Sequence, residues 1–207
     1  MRALGLRFQV EVSDVELTLP PGDDPCDPVP VAGAKVADIT LRLSPAMPVV
    51  GADTIVVDGT RALGKPNDAN HAIEMLMDLR GRTHAVRTGV ALSVGDRVLT
   101  LEVASLVQMR AYDRQTVEAY VGTGEPLDCA GSYDARGRGA ALVEPVVGCL
   151  SAVVGFPVAA IDRLLRGEAA IAGLVGAIAA CEALCNAPCR ARNPRTAHGC
   201  APTRFGH

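Results

Sequence analysis

Hydrophobic and polar positions change period several times along this 207-residue chain, and each change predicts an element. From Leu6 to Val15 apolar and polar residues alternate weakly, which reads as a strand, and the Pro-, Gly- and Asp-rich run from Pro20 to Pro30 reads as a loop. Val31 to Leu43 suggests a short helix that ends before Pro45. In PVVGADTIVVDG, residues 48 to 59, the residues Val49, Val50, Ile55, Val56 and Val57 lie between Pro48 and Gly59, the signature of a strand covered on both faces. Gly64-Lys65-Pro66 makes a turn that cannot continue it. Asn67 or Asp68 then caps a helix whose Ala69, Ala72, Ile73, Leu76 and Leu79 share one face until Gly81. Val86 to Leu106 reads as two strands joined through Gly95-Asp96, with Leu99, Leu101 and Val103 alternating to one side. Asp113 caps a helix through Tyr120 that stops at Gly122. The glycine-rich AGSYDARGRGA then leads to an apolar strand from Ala140 to Val143, and a last helix begins near Pro157. No repeat of fixed period is apparent.

Helices alternate with strands, so the fold class is α/β, with a mixed sheet because a hairpin interrupts the crossover pattern. At 49% hydrophobic composition the chain can build one sizeable core. It holds no apolar run long enough for a bilayer, and MRALGLRFQV lacks the features of a secretory signal, so the expected compartment is the cytoplasm with no membrane partner. A net charge of −3 supplies no basic field, and nucleic acid is excluded as a partner. Four arginines and no acid follow Glu182, so only the tail is locally cationic. The odd count of seven cysteines argues for free thiols at Cys26, Cys129 and Cys149 rather than a disulfide framework.

Charge sharpens the picture at three positions. Asp53 stands in the middle of the apolar strand, where a carboxylate without compensation is costly, so it needs a partner or a task. Of the 20 cationic residues 18 are Arg, and the only lysines are Lys35 and Lys65. A compact ammonium at just two places is either chance or a chemical requirement that a planar guanidinium does not meet.

Six stretches, GADTIVVDG, LGKPND, LRGRTHAVRTGVAL, VEAYVGTGEPLDCAGSY, GRGAALVE and VVGFP, together resemble the Maf family, also called septum-formation inhibitor proteins, in order and in spacing. The resemblance covers about residues 3 to 165, which sets a Maf-like domain over 1–165 and an Ala-rich helix and disordered tail over 166–207. It implies a two-lobed sheet with flanking helices and a central cleft. It further implies hydrolysis of nucleoside triphosphates between the α and β phosphates, giving a monophosphate and pyrophosphate. By the same resemblance Asp53 is the general base and holds a divalent ion, most naturally Mg²⁺, while Lys65 and Lys35 face the phosphates; Arg82 either adds to them or is a solvated surface arginine. His84, in the same block as Arg82, reads as a structural histidine.

Thr54 matches a position at which family members discriminate substrates, and Arg136 stands where relatives carry Gln or Glu. DCAGSY resembles the branch that prefers 7-methyl-GTP, yet a guanidinium beside a cationic base is repulsive, so either the specificity differs or Arg136 turns away toward phosphate. Arg only donates, which suits the carbonyl edges of a pyrimidine, so the expected substrate is a modified or pyrimidine nucleoside triphosphate.

The chain departs from the family pattern at its start. The resemblance would place a strand and an S-x-S-P-R-R motif ahead of Met1, so either the reading frame opens upstream or the segment has been lost. SDVEL puts Glu16 and Leu17 where two acids are expected, so one metal carboxylate is expected to be missing. In the tail Cys181, Cys185 and Cys189, with His198 and Cys200, form a weaker zinc candidate because the spacing fits no standard finger or ribbon. Two functions compete: a metal-dependent nucleotide pyrophosphatase, and a catalytically silent nucleotide-binding protein that affects cell division through partners. A homodimer is the other partner expectation.

Overall fold

In the computed structural model residues 7–15 and 23–167 are described. The order is α1 (Val29–Leu43), β1 (Val49–Asp58), β2 (Arg61–Leu63), α2 (Ala69–Leu79), β3 (Thr83–Val94), β4 (Arg97–Gln108) and α3 (Arg114–Val121). Three 3-10 turns follow at Glu125–Asp128, Ala130–Ser132 and Arg138–Leu142, then α4 (Leu150–Val153) and α5 (Val158–Gly167). The α/β class holds, with the helices packed on a four-stranded sheet in the order β2-β1-β3-β4. Each described pairing is antiparallel, where a mixed sheet was expected.

Local chemistry explains most boundaries. The Asp68 carboxylate accepts from His71 N at 2.8 Å and the Asp113 carboxylate accepts from Thr116 N at 2.8 Å, which satisfies free amides at the starts of α2 and α3. Asp27 does the same for Val29 N at 2.9 Å. The β3–β4 hairpin turns through Gly95, whose φ of 58° a side chain would resist.

Side chains alternate across the sheet, so the pairing register sorts the core. Val56, Leu63, Val86 and Val107 point to one face and meet α2, α3 and the 3-10 turns, forming a cluster that includes Leu76, Leu79, Tyr120 and Leu142. Val90, Leu92, Leu101 and Val103 point to the same face at the other end and meet α4 and α5 through Ala152 and Ile161. Both clusters lie on one face of the sheet. Helix α1 covers the opposite face, where Ala32 and Val36 pack on Ala91.

Three expectations are corrected. Residues 7–15 pair with no described strand, and Val10 and Val12 stand 76% and 70% exposed, because alternation specifies a face but supplies no neighbour. Ala140 to Val143 is largely a 3-10 turn, in which only Val143 reaches strand geometry through a bridge to Met109. Strand β1 is buried on both faces only at Val56 and Val57, and Val49 to Ile55 are half-buried because β2 spans only Val56 to Asp58. Among the described residues no helix is long and apolar enough to cross a membrane. Glu16, Leu17 and the whole segment 168–207, with the cysteines and histidine of the zinc candidate, lie outside the described residues.

Candidate active site

Asp53 faces α1, and Lys35 Nζ donates to its Oδ1 at 2.7 Å. Both side chains are only partly exposed, at 20% for Asp53 and 31% for Lys35, so the pair is less screened than a surface contact. Two glycines bring the helix this close. A methyl group at Gly51 would lie 2.8 Å from Val36 Cγ2, and one at Gly89, the cross-strand neighbour of Asp53, would lie 2.6 Å from the Pro28 carbonyl carbon. Helix α1 therefore rests directly on the backbone on both sides of Asp53.

The loop before α1 is held on the same face by charge. Arg87 makes a two-pronged contact with Glu102, Nε to Oε1 at 2.7 Å and Nη2 to Oε2 at 2.9 Å, and its Nη1 donates to Asp24 Oδ2 at 2.9 Å. Asp24 also accepts from Cys26 N at 2.8 Å. The hydrogen bond from Arg87, followed by that from Cys26 N, holds the Asp24 carboxyl below its usual range.

Lys65 follows β2. Continuing the register beyond Val56↔Leu63 would set it opposite Thr54 at the outer edge of β1, on the face that Thr54 shares and not on that of Asp53. Among the described residues no strand pairs with that edge from Val49 to Ile55. The Lys65 ammonium donates to Asp128, at the end of the Glu125–Asp128 turn, and Gly131 N donates to Gly64 O at 3.0 Å to hold the two segments together. The hydrogen bond and the charge of Asp128 raise Lys65 above the usual lysine range, and the same contact lowers Asp128.

The other sequence-derived candidates sit elsewhere. Arg82 Nη2 donates to Asp58 at 2.6 Å and Nη1 to Asp78 O at 3.0 Å, five residues along β1 from Asp53, or about 17 Å at the usual strand rise. Thr54 points to the opposite face from Asp53. Its hydroxyl is 2.9 Å from that of Thr88, and Thr88 donates to Ala152 O at 2.7 Å, so the proton between the two hydroxyls belongs to Thr54. Thr54 therefore links β1 and β3 to α4. Arg136 lies on the loop between the last two 3-10 turns, where its Nε is 3.5 Å from Asp134 Oδ1 and its backbone N donates to that oxygen at 2.8 Å. His84 is buried and shares a 2.7 Å hydrogen bond with Tyr133 Oη, in keeping with a structural histidine. Among the described residues Cys26, Cys129 and Cys149 form no disulfide.

Sequence reasoning missed Asp128, Gly51, Gly89 and the Arg87–Glu102 pair. The glycines carried a signal, since glycine inside a strand marks close backbone approach. Asp128 carried none beyond its place in a resembling block.

A divalent ion fits this set in only one way. Asp53 is a hard oxygen ligand, but among the described residues no group of three His, Cys, Asp or Glu surrounds a metal position. That donor set suits an ion which keeps water and phosphate oxygens as most of its ligands, as Mg²⁺ does, and not one enclosed by protein.

Residues 1–168 match the family model described as Maf-like protein. A dTTP/UTP pyrophosphatase of Desulforamulus reducens is 38% identical over 170 residues, covering 80% of this chain and 88% of that protein. A dTTP/UTP pyrophosphatase of Bacillus cytotoxicus is 40% identical over 159 residues, covering 77% and 83%. One of the same name from Pelotomaculum thermopropionicum is 38% identical over 169 residues, covering 80% and 88%.

Proposed function

The chain belongs to the Maf-like protein family, and from that premise we propose that it hydrolyses dTTP and UTP to the nucleoside monophosphate and pyrophosphate. The observation that carries this reading is the Lys35–Asp53 pair at the outer edge of β1, which no described strand covers from Val49 to Ile55. Relatives named for the activity at 38–40% identity support the substrate class.

In this reading a water oxygen bonds to the α phosphorus, the α–β bridging bond breaks, the water proton passes to Asp53, and pyrophosphate leaves. Both lysines hold carboxylates in the free protein. An arriving polyphosphate offers more charge to each ammonium than a single carboxylate does, so it competes for Lys35 and Lys65 and leaves Asp53 facing the water. Asp53 would be the protein ligand of a divalent ion, proposed to be Mg²⁺, brought with the triphosphate. When bound, such an ion neutralises developing charge on phosphoryl oxygens. Arg82, tied to Asp58, is assigned to structure rather than to phosphate.

Base choice is assigned to Arg136. Its guanidinium donates only, and uracil and thymine present carbonyl oxygens at both C2 and C4, whereas cytosine turns an amino group toward the same donor. Thr54 acts behind the strand, by fixing β1 against α4. The cytoplasm, where free triphosphates are made and used, is the proposed compartment.

The test is a panel of dTTP, UTP, CTP, ATP, GTP and 7-methyl-GTP incubated with the purified chain and Mg²⁺, with products separated by ion exchange. Monophosphate and pyrophosphate from dTTP and UTP are expected. Diphosphate with inorganic phosphate would refute the reaction, and tight binding with no product would favour a silent nucleotide-binding protein.

A further inference from the structure

Nothing above assigns a task to Glu125, yet its carboxylate organises the loop that carries Arg136. Oε1 accepts from Tyr120 Oη at 2.9 Å and from Gly139 N at 3.0 Å, and Oε2 accepts from Arg138 N at 3.0 Å. Tyr120 Oη in turn accepts from Asp134 N at 3.0 Å. The loop is wound onto this pair without spare room. A methyl group at Gly137 would lie 2.6 Å from both Glu125 oxygens, and one at Gly139 would lie 2.6 Å from Tyr120 Oη. A carboxylate meeting three donors, two of them backbone amides, sets the path of the main chain rather than a single side chain. Tyr120 is buried in the core at the end of α3, so the anchor itself is rigid.

The same carboxylate opens the short turn that ends at Asp128, the residue facing Lys65. Glu125 is therefore joined on one side to the phosphate end of the site and on the other to Arg136. Neither Glu125 nor Tyr120 touches Lys35 or Asp53 by any contact described above.

We propose that Glu125, anchored by Tyr120, is a positioning residue for base selection: it holds residues 134–139 so that Arg136 is presented to the nucleobase at fixed distance from the phosphate lysines. This rests on the reading of Arg136 as the base-selecting residue. Such a residue acts on KM and on the preference among bases, and leaves the bond-breaking step alone.

The experiment compares Glu125→Gln, Tyr120→Phe and Arg136→Ala with the unaltered chain, using kcat and KM for UTP and CTP and the rate of tryptic cleavage after Arg136 and Arg138. Glu125→Gln keeps the shape of the side chain but removes its charge, and Tyr120→Phe keeps the packing while removing the phenol, so at least one variant is expected to stay folded by circular dichroism. The UTP-to-CTP ratio of kcat/KM is expected to fall roughly ten-fold in both, through KM, with kcat held within about two-fold, and tryptic cleavage to accelerate. An unchanged ratio in both variants, alongside a changed one in Arg136→Ala, would overturn the clamp and leave the base reading intact. An unchanged ratio in Arg136→Ala as well would overturn the base reading, and this proposal with it.

Discussion

Lys35 donates to Asp53 at 2.7 Å from a helix that touches the sheet at two glycines, Gly51 and Gly89. The partners are 18 positions apart in sequence, and the contact exists because nothing but backbone separates α1 from β1 and β3 at that point. The site is thus built by omission of side chains around one carboxylate.

Gly89→Ala tests that construction. The added methyl meets Pro28 backbone atoms at 2.6–2.7 Å, and backbone does not yield as a flexible side chain would. Overpacking of this kind costs about 1–3 kcal/mol, so the urea midpoint should fall accordingly. Pyrophosphate release should drop by more than the loss of folded protein explains, because Lys35 is displaced with the helix.

Lys35→Met removes the ammonium and keeps most of the apolar stem. A hydrogen bond to a charged group is worth about 1.5–3 kcal/mol, so kcat/KM for UTP should fall by roughly 10- to 100-fold. Lys35→Arg should recover only part of it, since the planar fork does not replace a point charge at 2.7 Å from Asp53. Steady-state kinetics with both variants checks this.

Asp128→Asn has the opposite sign. Removing the acid releases Lys65 to the triphosphate, so KM should fall. Asp128 is exposed and its pair with Lys65 is screened by water, which limits the gain to roughly a few-fold at low salt. The gain should shrink as ionic strength rises.

Stability should depend on pH through His84. Burial, opposed by Asp58 and reinforced by Arg82, lowers its pKa from the ordinary 6.5 to about 4. Between those values the unfolded chain binds a proton that the folded chain refuses, so this contribution is complete above pH 6.5 and is lost as pH falls toward 4. The full effect is about 3 kcal/mol. In denaturant titrations His84→Gln should show a smaller drop between neutral pH and the acid limit, with the hydrogen bond to Tyr133 preserved.

Much of the fold was legible in local chemistry. Asp68 and Asp113 cap the helices they were expected to cap, and Gly95-Asp96 turns the expected hairpin, because each of these signals is satisfied by residues within a few positions. The failures are non-local. The alternation of Phe8, Val10 and Val12 asks for a neighbouring strand that the described residues do not provide, and Ala140 to Val143 curls because Glu125, far back in the chain, draws Arg138 and Gly139 toward itself. In the site, Asp53 was conspicuous as a charge in an apolar run, and both lysines by their rarity. Arg82 looked equivalent in sequence, yet Asp58 takes it to the other end of β1. Which cations share a face is a property of register and packing, and a block of resembling residues does not report it.

The most direct test is Asp53→Asn, followed by pyrophosphate release from UTP under single-turnover conditions and by nucleotide binding in parallel. Asn keeps the shape and can still accept from Lys35, but it does not take a proton from water. A fall in turnover of roughly 100-fold or more, with binding retained, is the predicted result. Turnover within a few-fold of the unaltered chain, with binding retained, would contradict the assignment of hydrolysis to this carboxylate.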